Sequence, residues 1–170
     1  MDLKTKINDY KDFPKKGILF RDFNPILKDP SALSYVVDEF SKRIHPNDVD
    51  VFAGIESRGF ILACALAQKY NKGMVLLRKA GKLPGKTIKM SYTIEYGKAQ
   101  LEIQKTTLEK NERVLICDDL LATGGTAKAA AKLVEKLEAK VIGFAFMIEL
   151  TALKGIEKIK EYRTESLVEY

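Results

Sequence analysis

Apolar residues in this chain fall into short runs separated by longer, periodic stripes. VDVFAGI at 49–55, GMVLLR at 73–78, AQLEIQ at 99–104, RVLICD at 113–118 and KVIGFAFMIEL at 140–150 read as strands. Between them the apolar spacing lengthens to that of a helix. After Asp29-Pro30, residues Leu33, Val36, Val37, Phe40 and Ile44 form one stripe, with proline in a favourable first-turn position. A second helix is predicted over 60–70, and a third over about 126–137, where Ala127, Ala130, Ala131, Val134 and Leu137 make the inward face. Continuous apolar strands alternating with helices predict an α/β fold whose largely parallel sheet is covered on both faces. Ligands of such sheets bind beyond the carboxyl ends of the strands. GIESRG, RKAGKLPG and DDLLATGGT all fall at strand ends, so three polar loops are expected to face one crevice.

Residues 80–98, AGKLPGKTIKMSYTIEYGK, break this pattern. Glycines border the stretch and SYTIEY alternates polar and β-forming residues, which predicts a long excursion or hairpin rather than a packed core element. With 170 residues, 46% of them hydrophobic, the chain suits a single domain with one sizeable core. No apolar run reaches about eighteen residues and the charged start MDLKTKINDYKD is unlike a secretion signal, so a soluble, intracellular protein is expected, with no membrane partner.

Charge and chemistry narrow the picture. The net charge of +6 suits an anionic partner, but lysines alternate with glutamates, as in KAAAKLVEKLEAK, and no dense basic tract interleaves with aromatics. A small polyanion is expected rather than nucleic acid. Cys64 and Cys117 lie in apolar runs without metal or redox spacing, so both are expected to be inert core residues. The single histidine, His45, precedes Pro46 in a predicted loop, a poor place for a catalytic base.

The segment ICDDLLATGGTA at 116–127 concentrates the chemistry. Ala122, Thr123, Gly124, Gly125 and Thr126 lead into a helix, where small residues let backbone N–H groups converge on a phosphate and threonine hydroxyls add donors. Asp118 and Asp119 stand just upstream. Two adjacent carboxylates repel a bare phosphate but can each accept a hydroxyl, as the cis-diol of a ribose provides. Diol readers followed by a phosphate cradle match the shape of a ribose 5-phosphate. Neither GxxxxGK[ST] nor GxGxxG occurs, and EF-hand spacing is absent.

VLICDDLLATGGT resembles the phosphoribosyl-diphosphate-binding motif of type I phosphoribosyltransferases, and its Leu-Leu-Ala-Thr variant is similar to the adenine-using branch. FPKKGILFRDFNPILKDP, AGIESRGF, LLRKAGKLPGKT, SYTIEYGKAQLEIQ and ELTALKG extend the resemblance in the same order along most of the chain. It implies one domain over 1–170, a mostly parallel twisted sheet flanked by helices, with a small N-terminal hood over about 1–45 and a flexible catalytic loop over about 80–98. The implied reaction, part of purine salvage, joins adenine to 5-phosphoribosyl 1-diphosphate and gives AMP and diphosphate. The resemblance assigns Ser57, Arg58, Gly59, Arg78 and Lys79 to the diphosphate, and Phe20, Arg21 and Leu150 to adenine. Glu95 and Tyr96 fall in the catalytic loop. Mg²⁺ is implied as a cofactor held mainly by substrate with no direct protein ligand, and a cytoplasmic homodimer is implied as the assembly. Two alternatives stand beside this reading: a transferase for xanthine or another purine, and a regulator that senses phosphoribosyl diphosphate.

Overall fold

A computed structural model describes residues 1–94 and 97–170. A short 3-10 helix at Leu3–Lys6 leads into the antiparallel strands β1 (Asn8–Lys11) and β2 (Leu19–Asp22), then α1 (Asn24–Lys28) and α2 (Pro30–Arg43). The body follows as β3 (Val51–Ile55), α3 (Gly59–Tyr70), β4 (Gly73–Lys79), β5 (Thr87–Ile94), β6 (Gly97–Gln104), β7 (Arg113–Leu121), α4 (Gly125–Lys136), β8 (Lys140–Glu149) and β9 (Thr164–Glu169). Among the described residues the main sheet has the order β5-β6-β4-β3-β7-β8-β9. The ladder from β4 to β9 is parallel, while β6 joins β4, and β5 joins β6, antiparallel.

Side-chain alternation along the central strands explains the two cores. Phe52, Leu115, Cys117, Ala145 and Met147 point to the face covered by α2 and α3, where they meet Val36, Phe40, Leu62 and Leu66. Ala53, Ile55, Val114, Ile116, Phe144 and Phe146 point to the opposite face and pack on Ala127, Ala130, Ala131, Leu133 and Val134 of α4. Strands buried on both sides therefore read as unbroken apolar runs. The chain turns from β3 to β4 on one side and places β7 on the other. The β3/β7 boundary is thus the point where loops diverge and leave a crevice at the carboxyl ends.

Several expectations change. The 80–98 stretch takes the hairpin form of the two expected, β5 pairing antiparallel with β6, but it is better packed than expected: β5 is a full edge strand whose Ile88, Met90 and Tyr92 pack on the α4-side core. Its alternating pattern carries one half-buried face, as suits an edge strand. Cys117 is buried as expected, and burial pushes its thiol up, but Cys64 is exposed. Helix α3 buries Leu62, Ala63, Leu66, Ala67 and Tyr70, which rotates Cys64 outward although the whole segment is apolar. Among the described residues no helix is long and apolar enough to cross a membrane.

Candidate active site

Strand β7 runs past its expected end at 118 to Leu121, so that Asp119 as well as Asp118 belongs to the strand. Pairing of Leu120 with Ile148 and Leu121 with Glu149 of β8 carries the ladder onward. Tertiary pairing here overrides the poor strand propensity of aspartate. The chain then bends through Ala122 and Thr123 to Gly124, which takes the left-handed φ of +77° and starts α4. No side chain caps the first turn, which leaves its N–H groups directed outward for an anion. Residues 120–127, with Asp118 and Phe146, enclose a cavity of about 80 Å³.

The bend is fixed by contact with another loop. A Cβ on Gly124 would lie 2.3 Å from the Gly155 carbonyl oxygen, and one on Gly155 would lie 2.2 Å from the Ala122 carbonyl oxygen. Two glycines thus let two backbones touch and hold the cradle in shape. On the other flank, β5 crosses the start of α4, with the Thr93 carbonyl 3.1 Å from where a Gly125 Cβ would stand.

The acid pair is electrostatically unequal. Desolvation first, and the charge of Asp119 second, push the Asp118 carboxyl well above its ordinary value. Its Oδ1 accepts the Asp119 backbone N–H at 2.8 Å. Asp119 is buried, and Arg58 Nη2 approaches its Oδ2 to 2.8 Å. The approach is an ion pair without hydrogen-bond alignment, so Oδ2 stays buried with no donor aimed at it. A buried acceptor in that condition suits an incoming hydroxyl.

Arg58 reaches this position because α3 starts hard against β7. A Cβ on Gly59 would fall 2.5 Å from the Cys117 carbonyl oxygen, so glycine there is a condition of the close approach. The Arg58 guanidinium also lies 4.8 Å from the ring centroid of Phe20, which in turn meets Phe13 edge-on. One arginine therefore joins a residue expected at the base to one expected at the ribose. Its guanidinium rests against Asp119.

Arg78 and Lys79 are tied to the loop after β3 by an acid that sequence reasoning passed over. Glu56, directly before Ser57, accepts Arg78 Nε at 3.2 Å, the Lys79 N–H at 2.9 Å and Lys82 Nζ at 2.5 Å. Desolvation alone would raise its carboxyl, but these donors prevail and hold it down at about 2. A glutamate immediately after a fully apolar strand, facing a basic loop, was the available signal.

On the base side, the Arg21 guanidinium pairs with Asp9 and stacks on the Tyr170 ring, 3.7 Å from its centroid. The Tyr170 carbonyl accepts both the Thr151 N–H, at 2.9 Å, and the Thr151 hydroxyl, at 2.7 Å. Tyr170 thereby links the β2 strand carrying Phe20 and Arg21 to the end of β8 next to Leu150. Neither Tyr170 nor Gly155 stood out in sequence, because each matters through a contact distant along the chain. Glu95 and Tyr96 lie outside the described residues.

Comparison with known proteins bears on what this geometry serves. The family model described as the phosphoribosyl transferase domain matches residues 26–168. The adenine phosphoribosyltransferase of Nitrosopumilus maritimus is 68% identical over the full length of both chains. Among solved structures, the adenine phosphoribosyltransferase of Thermoanaerobacter pseudethanolicus superposes with a TM-score of 0.96 at 43% identity, covering 99% of this chain and 98% of the other. The Saccharomyces cerevisiae enzyme, solved with an imino-altritol bisphosphate and adenine, gives 0.93 at 40% identity over 98% and 96% of the two chains.

Proposed function

The chain belongs to the phosphoribosyl transferase family, and on that premise we propose that it transfers the 5-phosphoribosyl group of 5-phosphoribosyl 1-diphosphate to adenine, releasing AMP and diphosphate. The observation that carries this reading is the uncapped start of α4 beside an acid pair that presents a buried, unaligned acceptor. The amides of residues 124–126 and the hydroxyls of Thr123 and Thr126 receive the 5′-phosphate. Asp118 and Asp119 receive the ribose hydroxyls.

As the bond to diphosphate lengthens, positive charge grows on the ribose and negative charge on the departing group. Ser57, Arg58, Arg78 and Lys79 are assigned to the leaving diphosphate, each well-aimed donor contributing ~3 kcal/mol by analogy with oxyanion holes. When substrate arrives, its own hydroxyl gives Asp119 the aligned donor it lacks, which frees Arg58 to turn toward the diphosphate. Phe20 and Leu150 flank the purine, and backbone groups at Arg21 read its edge. Glu95, with Tyr96 beside it, is assigned to the reacting base and ribose.

Among the described residues no three acidic, histidine or cysteine side chains converge on one point. Asp119 Oδ2, buried without an aligned donor, would suit a water on a Mg²⁺ carried mainly by substrate as well as it suits a hydroxyl. The chemistry such an ion would supply is neutralisation of charge on the diphosphate. The working form is taken to be a cytoplasmic homodimer. Release of diphosphate from phosphoribosyl diphosphate and Mg²⁺, measured with adenine, hypoxanthine, guanine and xanthine in parallel, tests the reaction. Release with adenine alone is expected, and turnover with xanthine but not adenine would refute the base.

A further inference from the structure

Glu102 is the most deeply buried charged residue among those described, at 1% exposure. It lies in β6 between Leu101 and Ile103, both buried in the α4-side core, with its own side chain on the other face. Burying a carboxylate in a strand is costly, and an apolar residue of similar size often serves stability as well or better. What Glu102 does instead is hold a loop. Its Oε1 accepts the N–H groups of Lys82, at 2.9 Å, and Leu83, at 3.0 Å, while the Thr87 hydroxyl donates to Oε2 at 3.1 Å. Desolvation opposes its charge, yet these donors outweigh it and keep the carboxyl below its ordinary value.

The loop so held is the one that follows Arg78 and Lys79. From its other side, Glu56 grips Lys82 Nζ, Arg78 Nε and the Lys79 N–H, and Arg78 Nη1 donates to the Lys82 carbonyl at 3.2 Å. Two acids, Glu56 just after β3 and Glu102 within β6, therefore clamp residues 78–83 between them. We propose that Glu102 is a positioning residue for the leaving-group corner, setting the backbone at Lys82 and Leu83 so that Arg78, Lys79 and Lys82 present their charge to diphosphate. It touches no substrate and acts through the loop. This rests on the transferase reading above.

AMP and diphosphate separate that role from a general structural one, since AMP occupies the cradle, ribose and base positions and leaves the 78–83 corner untouched. In isothermal titration with the full chain, Glu102→Ala is expected to weaken diphosphate about tenfold or more while AMP affinity stays within about twofold. Glu102→Gln should restore most of the loss, because its amide oxygen can keep the two loop N–H groups and its NH₂ can face the Thr87 hydroxyl. In a cycle with Lys82→Ala, the two losses should be strongly non-additive. If Glu102→Ala does not fold, Glu102→Asp carries the same test, as it keeps the charge but withdraws the carboxylate from the loop by one methylene. Equal weakening of AMP and diphosphate, or diphosphate binding unchanged, would overturn the inference. Wild-type protein that binds neither ligand would overturn the transferase reading as well.

Discussion

The turn after β7 and the loop after β4 flank the same crevice, yet different forces shape them. The first is almost all main chain: a left-handed glycine, an uncapped helix start and a glycine opposite, with contacts so close that no Cβ fits. The second is side-chain charge: Arg78 and Lys82 around Glu56, and the backbone of Lys82 and Leu83 on Glu102. A backbone cradle offers fixed donors at one distance and suits a phosphate that does not change during reaction. A charged corner can redistribute its ion pairs, which suits a group whose negative charge grows as it leaves. Arg58 sits where the two meet, held by Asp119 on the strand that leads into the cradle.

This contrast can be broken most sharply at the cradle. Gly124→Ala places a methyl 2.3 Å from the Gly155 carbonyl at a φ that alanine resists. Turnover is expected to fall about 100-fold or more, since displacement by about an ångström costs that much, and AMP affinity should fall with it. Initial rates and AMP titration check this, and wild-type values for both would show the cradle is not where the phosphate sits.

Next comes the junction. Asp119→Asn removes the charge facing Arg58 and turns one acceptor into a donor, so kcat/KM for phosphoribosyl diphosphate should drop about 10- to 100-fold, the range of charged hydrogen bonds. A loss confined to adenine KM would instead place Asp119 at the base. Phe20→Ala should act the other way round, raising adenine KM by about 2- to 10-fold through a lost aromatic face while the KM of phosphoribosyl diphosphate holds.

The smallest effect concerns pH at the charged corner. A carboxylate held below its ordinary value gives stability that is complete above that value and is lost as pH falls toward the folded-state value. For Glu56 the window therefore runs from 4.5 down to about 2. Diphosphate affinity, once corrected for the ligand's own protonation, should owe no change to Glu56 between about pH 8 and pH 5. A step in that range that vanished in Glu56→Gln would show that the corner is not fully charged at rest.

The two regions also differ in how far they could be read before folding. The cradle was legible because its requirement is local: LATGGT after an apolar strand states small residues, hydroxyls and a helix start within six positions. The charged corner was legible only in part. Arg78 and Lys79 stand out at a strand end, but Glu102 looks like any outward residue of an alternating LEI pattern until the 80–84 loop is laid over it. Gly155 and Tyr170 were silent for the same reason, being defined by partners about thirty and a hundred and fifty residues away. For the body of the sheet, unbroken apolar runs sufficed to give β3, β4, β7 and β8. The edge elements β5 and β9 and the β1–β2 pair were missed or blurred, since half-exposed strands leave a weak pattern. Cys64 was misplaced because an all-apolar helix hides which side faces out.

The most direct test of the account is a crystal structure of this protein with AMP bound. The phosphate is expected within hydrogen-bond distance of the amides of residues 124–126, the ribose hydroxyls on Asp118 and Asp119, and Arg58 swung away from Asp119. A nucleotide held elsewhere, with the Arg58–Asp119 pair intact and no phosphate at the start of α4, would contradict it.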